Sequence, residues 1–129
     1  MRKKEIFIPF NVPSSKNGRR WTGKRSIGSK ATERYYKLTN EIYPIKKEDF
    51  VKLLEGYTPP YKIGFHFVRG SRRLYDWVNP VQTVQDRMTK FGWVEDDNVN
   101  FMFPFPYKRK NVYTTYDTEN PGVYIKILR

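Results

Sequence analysis

A chain of 129 residues has room for one domain with a single hydrophobic core and is too short for two. Its lack of cysteine excludes disulfides and thiolate metal sites, and fits a reducing compartment. No apolar run is long enough to span a bilayer, and the N-terminus lacks the apolar core of a signal peptide. We therefore expect a single domain over residues 1–129, located in the cytoplasm and not bound to a membrane.

The strongest compositional feature is a formal net charge of +12, which favours a polyanionic partner because like charges repel within a compact chain. Eleven cations but only two acids lie among residues 1–37, whereas five of the thirteen acids lie among residues 76–97. A purely solubilising surface mixes the two signs more evenly. Because no basic amphipathic helix of the membrane-binding type is evident, nucleic acid is the favoured partner.

The N-terminal part of the chain predicts a strand, a long basic segment and two helices. Residues 5–10 are expected to form the strand, which turn residues end. Residues 13–29 consist mainly of Ser, Lys, Asn, Gly and Arg, which is typical of a flexible loop that grips phosphates or of a plain connection. Helices are predicted over residues 29–42, with Ser29 as the N-cap, and over residues 47–55.

The remaining elements predict a sheet with a third helix. Residues 61–68 alternate as a strand, and a basic turn follows over residues 69–73. An asparagine and a proline begin the helix predicted over residues 79–92, the asparagine as its N-cap. Strands over residues 99–105, where prolines indicate a strand that lies at a sheet edge or is cut short, and 123–128 complete an α+β fold. We expect a small mixed sheet of about four strands packed with two or three helices.

Acidic residues flank the third helix, with Asp76 before it and Glu95, Asp96 and Asp97 after it. The predicted helix is about 20 Å long. The extended residues that follow it can return along the helix by about 17 Å, so Asp97 can come close to Asp76, although the spacing does not require it. Clustered carboxylates repel one another, and Mg²⁺ would stabilise them by taking oxygen ligands together with substrate phosphate. An acidic turn that binds no metal is the alternative.

Several other chemistries are excluded by residue type. With one histidine and no cysteine, zinc sites and Cys/His nucleophiles are ruled out, and neither GxxxxGK[ST] nor GxGxxG is present. His66, the single histidine, is expected to be an ordinary surface or packed residue of a strand.

Residues 72–98, RRLYDWVNPVQTVQDRMTKFGWVEDDN, resemble the core of the RusA family of Holliday junction resolvases. That family shows basic residues, D-x-D-N, a helix with a Lys and an Asp after the Asn, and then G-x-x-x-D-D. The N-terminal IPFNVPSSKNGRRW and GSKATERYYK also resemble the family's first strand and first helix. The residues that fall on the central pattern are Asp76, Asn79, Asp86, Gly92, Asp96 and Asp97.

The resemblance implies a homodimer that grips four-way DNA junctions through basic surfaces and hydrolyses phosphodiesters with aspartate-bound Mg²⁺, or Mn²⁺. It implies that Asp76 and Asp97 are catalytic and, with Asp96, bind the metal, and that Asn79, Gln82 and Asp86 support them. The cations expected to contact DNA are Lys16, Arg19, Arg20, Lys24, Arg25, Arg69, Arg72 and Arg73.

Two positions depart from the family pattern. Val78 stands where the family has a further aspartate, and Gln82 stands where it has the helix lysine. Valine cannot ligate a metal, and glutamine brings no positive charge to the reacting phosphate. Losing one group that stabilises the charge of a transition state commonly lowers the catalytic rate by about 10²–10³-fold. Three functions therefore stay open: an endonuclease in recombination, repair or phage DNA processing; a weakened or inactive RusA-like DNA-binding protein; and an RNA-binding protein whose aromatic side chains stack on bases.

Overall fold

The computed structural model describes residues 4–14, 19–21, 26–28, 30–95 and 101–129, and for residues 19–21 and 26–28 it describes the backbone alone. The elements in chain order are β1 (Glu5–Pro9), β2 (Arg19–Trp21), β3 (Ser26–Gly28), α1 (Lys30–Thr39), α2 (Ile42–Leu53), β4 (Tyr61–Arg69), α3 (Val78–Lys90), β5 (Met102–Pro106), β6 (Thr114–Tyr116) and β7 (Gly122–Leu128). No helix within these ranges is long and apolar enough to cross a membrane.

The predicted α+β class is confirmed, with a larger sheet than expected. Within the described ranges, five strands form one mixed sheet in the order β1-β7-β4-β5, and β6 also pairs with β4. β4 runs antiparallel to β7 and parallel to β5 and β6, which pair with its first and last parts respectively. β6 was missed because three residues have no readable alternation and are held in place by pairing with β4. The predicted edge position of the proline-bearing strand, β5, is confirmed.

A second small sheet lies inside the basic segment. The backbones of β2 and β3 pair antiparallel, from Arg19 opposite Gly28 to Trp21 opposite Ser26. The expectation of a loop over all of residues 13–29 is therefore wrong for these two strands. Trp21 and Ile27 favour strands, but two three-residue strands rich in arginine, glycine and serine show no alternation that would predict the pairing.

The first two helices have different limits from those predicted. α1 ends at Thr39, whose hydroxyl donates a hydrogen bond to the Tyr35 carbonyl at 2.7 Å. α2 begins at Ile42, earlier than predicted. Pro44 does not prevent this, because it falls in the first turn, where a missing N–H breaks no helical hydrogen bond. The proposed N-cap of α1, Ser29, lies outside the described residues.

The beginning of α3 also differs from the prediction. The helix begins at Val78 with Trp77 at its N-cap, so the prediction that Asn79 is the N-cap is wrong. The Asn79 N–H donates to the Asp76 carbonyl at 3.0 Å, which places Asn79 inside the first turn and frees its side chain for another contact. The helical spacing predicts a buried stripe of Val81, Val84, Met88 and Phe91. The first three are buried, and Phe91 is only partly buried against the core.

β4 is buried on both faces. Ile63, Phe65 and Phe67 lie on one face, and His66, with no exposed surface, lies on the other. The His66 ring is hydrogen-bonded at both nitrogens, through Nδ1 to the Tyr107 carbonyl at 2.9 Å and through Nε2 to Thr115 Oγ1 at 3.0 Å. A neutral ring satisfies both contacts, with Nδ1–H donating and Nε2 accepting. The expectation of a packed strand histidine is confirmed.

We expect the protein to lose stability as the pH falls below about 6.5. Burial lowers the pKa of His66 from its ordinary value of 6.5, although the bond to the Tyr107 carbonyl opposes the shift. At pH values between the lowered pKa of the folded protein and 6.5, the unfolded chain binds more protons at His66 than the folded chain does. The free energy of unfolding therefore decreases as the pH falls, by at most about 1.4 kcal/mol per pH unit. Urea unfolding at about pH 7.5 and 5.5 measures this change, and H66Q should show a smaller one. An equal change in both proteins would contradict the prediction.

Candidate nucleic-acid interface

The start of the basic segment is attached to the end of β4 by a buried arginine. Arg69, the last residue of β4, is only 6% exposed, and its guanidinium donates to the Val12 carbonyl at 2.5 Å and to Ser14 Oγ at 2.9 Å. The Gly70 N–H donates to the Asn11 side chain at 2.9 Å. These bonds fix residues 11–14 beside the end of β4, although β7 lies between β1 and β4 in the sheet.

The same segment contacts the beginning of α3. The Asn79 side chain donates to the Ser14 carbonyl at 3.4 Å, a long hydrogen bond. Asp76, two residues before the helix, is exposed. The predicted acidic position and the point from which the basic segment departs are therefore close together in the fold.

One exposed stripe of α3 carries three of the positions that the family pattern singles out. Val78, Gln82 and Asp86 are all exposed and follow one another at four-residue spacing, which places them on one face of the helix. This stripe begins two residues after Asp76 and faces away from the core side chains of α3.

The other half of the predicted acidic cluster is not described. Asp96 and Asp97 lie outside the described residues, so their distance from Asp76 stays a prediction. Among the residues that are described, no group of three or more His, Asp and Glu side chains could hold a metal ion. The magnesium site expected at Asp76, Asp96 and Asp97 therefore stays a prediction.

The predicted DNA-binding cations fall into three groups. Arg69 is buried and hydrogen-bonded, so its role as a direct phosphate contact is not supported, and burial lowers the pKa of its guanidinium from its ordinary value. Arg72 and Arg73 are exposed, and the Arg72 guanidinium lies 4.5 Å from the centre of the Tyr116 ring. Such a stacked guanidinium keeps its N–H groups available to phosphate oxygens. Lys16, Lys24 and Arg25, and the side chains of Arg19 and Arg20, lie outside the description.

The structure adds a feature that the sequence pattern did not reveal, which we term the aromatic pocket. It is an open, shallow depression of about 340 Å³ lined by Tyr75, Trp77, Pro106, Tyr113 and Thr114. Its residues come from three separate parts of the chain, so no local motif unites them. The only sequence signal is the Tyr-Asp-Trp triplet, in which two aromatic residues flank Asp76.

Comparison with known proteins gives no match, either to a family model or to a curated protein. The resemblance to the RusA family therefore depends on the residue pattern around α3 and in the N-terminal segment.

We expect R69M to lower the free energy of unfolding by about 1–3 kcal/mol, because it leaves the Val12 carbonyl without its buried donor. R73M is the matched control, since it removes the same charge from an exposed position and should change stability by less than about 0.5 kcal/mol. Urea unfolding of both variants measures the difference. Equal stabilities would show that the buried arginine does not fix the segment.

Proposed function

We propose that this chain is a RusA-like, Mg²⁺-dependent endodeoxyribonuclease that binds four-way DNA junctions as a homodimer and cleaves them in recombination, repair or phage DNA processing. The observation that carries the proposal is the exposed Asp76 just before α3, next to the point where Asn79 contacts Ser14 at the start of the basic segment. Phosphodiester hydrolysis needs cations that bind the backbone and carboxylates that bind a metal. The proposal is supported by the position of one such carboxylate, Asp76, close to the start of the segment that carries further cations.

The chain's own residues divide the work between binding and chemistry. Arg72 and Arg73, both exposed, bind backbone phosphates, and Arg69 fixes the base of the segment that carries further cations. Asp76 and the carboxylates of Asp96 and Asp97 offer the oxygen ligands that Mg²⁺ prefers. When bound, Mg²⁺ would neutralise charge on the scissile phosphate and lower the pKa of an attacking water.

A specific observation favours a second candidate, a RusA-like protein that binds junctions without efficient cleavage. The Val78 side chain is 59% exposed on the α3 stripe, at the position where the family has an aspartate. An isopropyl group there neither fills the core nor ligates a metal. Gln82, one turn further along, donates a hydrogen bond to a phosphate oxygen but adds no charge, so transition-state stabilisation is weaker.

Cleavage of a labelled four-way junction with Mg²⁺ or Mn²⁺ separates the two candidates. If the chain is an endonuclease, D76N and D97N should lower the rate by about 10²-fold or more while junction affinity is kept, because each removes a ligand charge. E48Q, which alters an exposed carboxylate of α2, is the control and should cleave as the wild type does.

The double variant V78D/Q82K decides between the candidates. Binding without cleavage by the wild type, with cleavage gained in the double variant, would support the weakened relative. Tight binding to single-stranded RNA but not to junctions would contradict both.

A further inference from the structure

One wall of the aromatic pocket, Tyr75, is held in place by contacts with Thr114, which also lines the pocket, and with residues outside it. The Tyr75 hydroxyl is hydrogen-bonded to Thr114 Oγ1 at 2.5 Å, and its ring meets Phe67 edge-on at 6.4 Å between centres. The Arg69 guanidinium lies 4.6 Å from the centre of the Tyr75 ring. Because these contacts fix the Tyr75 side chain before any ligand binds, little conformational entropy is lost on binding.

The pocket lies beside the proposed chemical site. Tyr75 and Trp77 are the immediate neighbours of Asp76, and adjacent Cα atoms are about 3.8 Å apart. Successive phosphates of one strand advance about 3.4 Å along a duplex axis. A flat group in the pocket and a phosphate at Asp76 would therefore belong to the same nucleotide or to adjacent ones.

The charge around the pocket selects among flat ligands. Aromatic cages also bind organic cations, but here Arg69 lies over Tyr75, and Lys108 Nζ lies 5.3 Å from the centre of the Tyr113 ring. These cations repel a lysine or a quaternary ammonium group and attract a chain of phosphates. A nucleobase fits both requirements, since it is an uncharged ring that stacks on aromatic side chains and is attached to an anionic backbone.

We propose that the aromatic pocket binds one unpaired nucleobase of the DNA strand whose phosphate lies at Asp76. This inference rests on the proposed DNA binding and does not depend on cleavage. Removing a base from a stack costs free energy, and the cost is least where the base is already unpaired. The pocket therefore gives the protein a preference for DNA with an unpaired nucleotide over a continuous duplex.

Tyr113 is the position for the test, because its side chain is 52% exposed and its replacement leaves the core intact. Two DNAs of equal length are compared, a continuous duplex and a duplex with one extrahelical 2-aminopurine. Y113F keeps the stacking ring and should bind both DNAs as the wild type does. Y113L should bind the bulged DNA about 5- to 20-fold more weakly and the continuous duplex unchanged. The 2-aminopurine fluorescence should be quenched by the wild type and by Y113F, and less by Y113L.

The outcomes separate this inference from the proposed function. If Y113L binds both DNAs like the wild type, or loses affinity for both equally, the pocket does not hold a base, although DNA binding itself stands. A trimethyllysine peptide that binds the wild type and is displaced by no DNA would also overturn the inference. If the wild type binds neither these DNAs nor a four-way junction at low salt, the proposed function fails as well.

Discussion

The placement of the candidate interface depends on the buried guanidinium of Arg69. A charge removed from water is costly, and here its hydrogen-bonding partners are the Val12 carbonyl and the Ser14 hydroxyl, with the Tyr75 ring beside it. Replacing the arginine alone leaves the buried Val12 carbonyl without its donor, so the interaction is also costly to break. The Arg69 side chain determines the positions of its neighbours. It holds the segment after β1, the end of β4 and the Tyr75 wall of the aromatic pocket together at one point.

Elements with a strong periodic pattern could be predicted from the sequence, whereas elements held by distant pairing could not. β1, β4, α3 and β7 were anticipated because alternation or helical spacing shows which face is buried. β6 and the β2–β3 pair were missed because they are short and their partners lie elsewhere in the chain. The predicted helices leave residues 43–46 between them, but the first turn of α2 accommodates Pro44.

The candidate site shows the same division. The exposed stripe with Gln82 and Asp86 follows from helical spacing, so sequence reasoning could identify it. Arg69 was assigned to DNA because residue type reports charge and not burial, and only the fold shows that its side chain faces inward. The aromatic pocket combines Tyr75 and Trp77 with Tyr113, and the contact between these parts of the chain follows from the pairing of β4 with β6.

The two proposals assign recognition and chemistry to different residues. The aromatic pocket and the exposed Arg72 belong to segments around residues 70–77 and 106–116. Val78 and Gln82, which depart from the family pattern, lie on the exposed stripe of α3 and do not line the pocket. A change on that stripe alters the charge available to a phosphate without altering the surface that would hold a base. Under the two proposals, a chain with valine and glutamine at these positions would keep its preference for DNA with an unpaired base while its rate of hydrolysis fell, because affinity and transition-state stabilisation would depend on separate contacts.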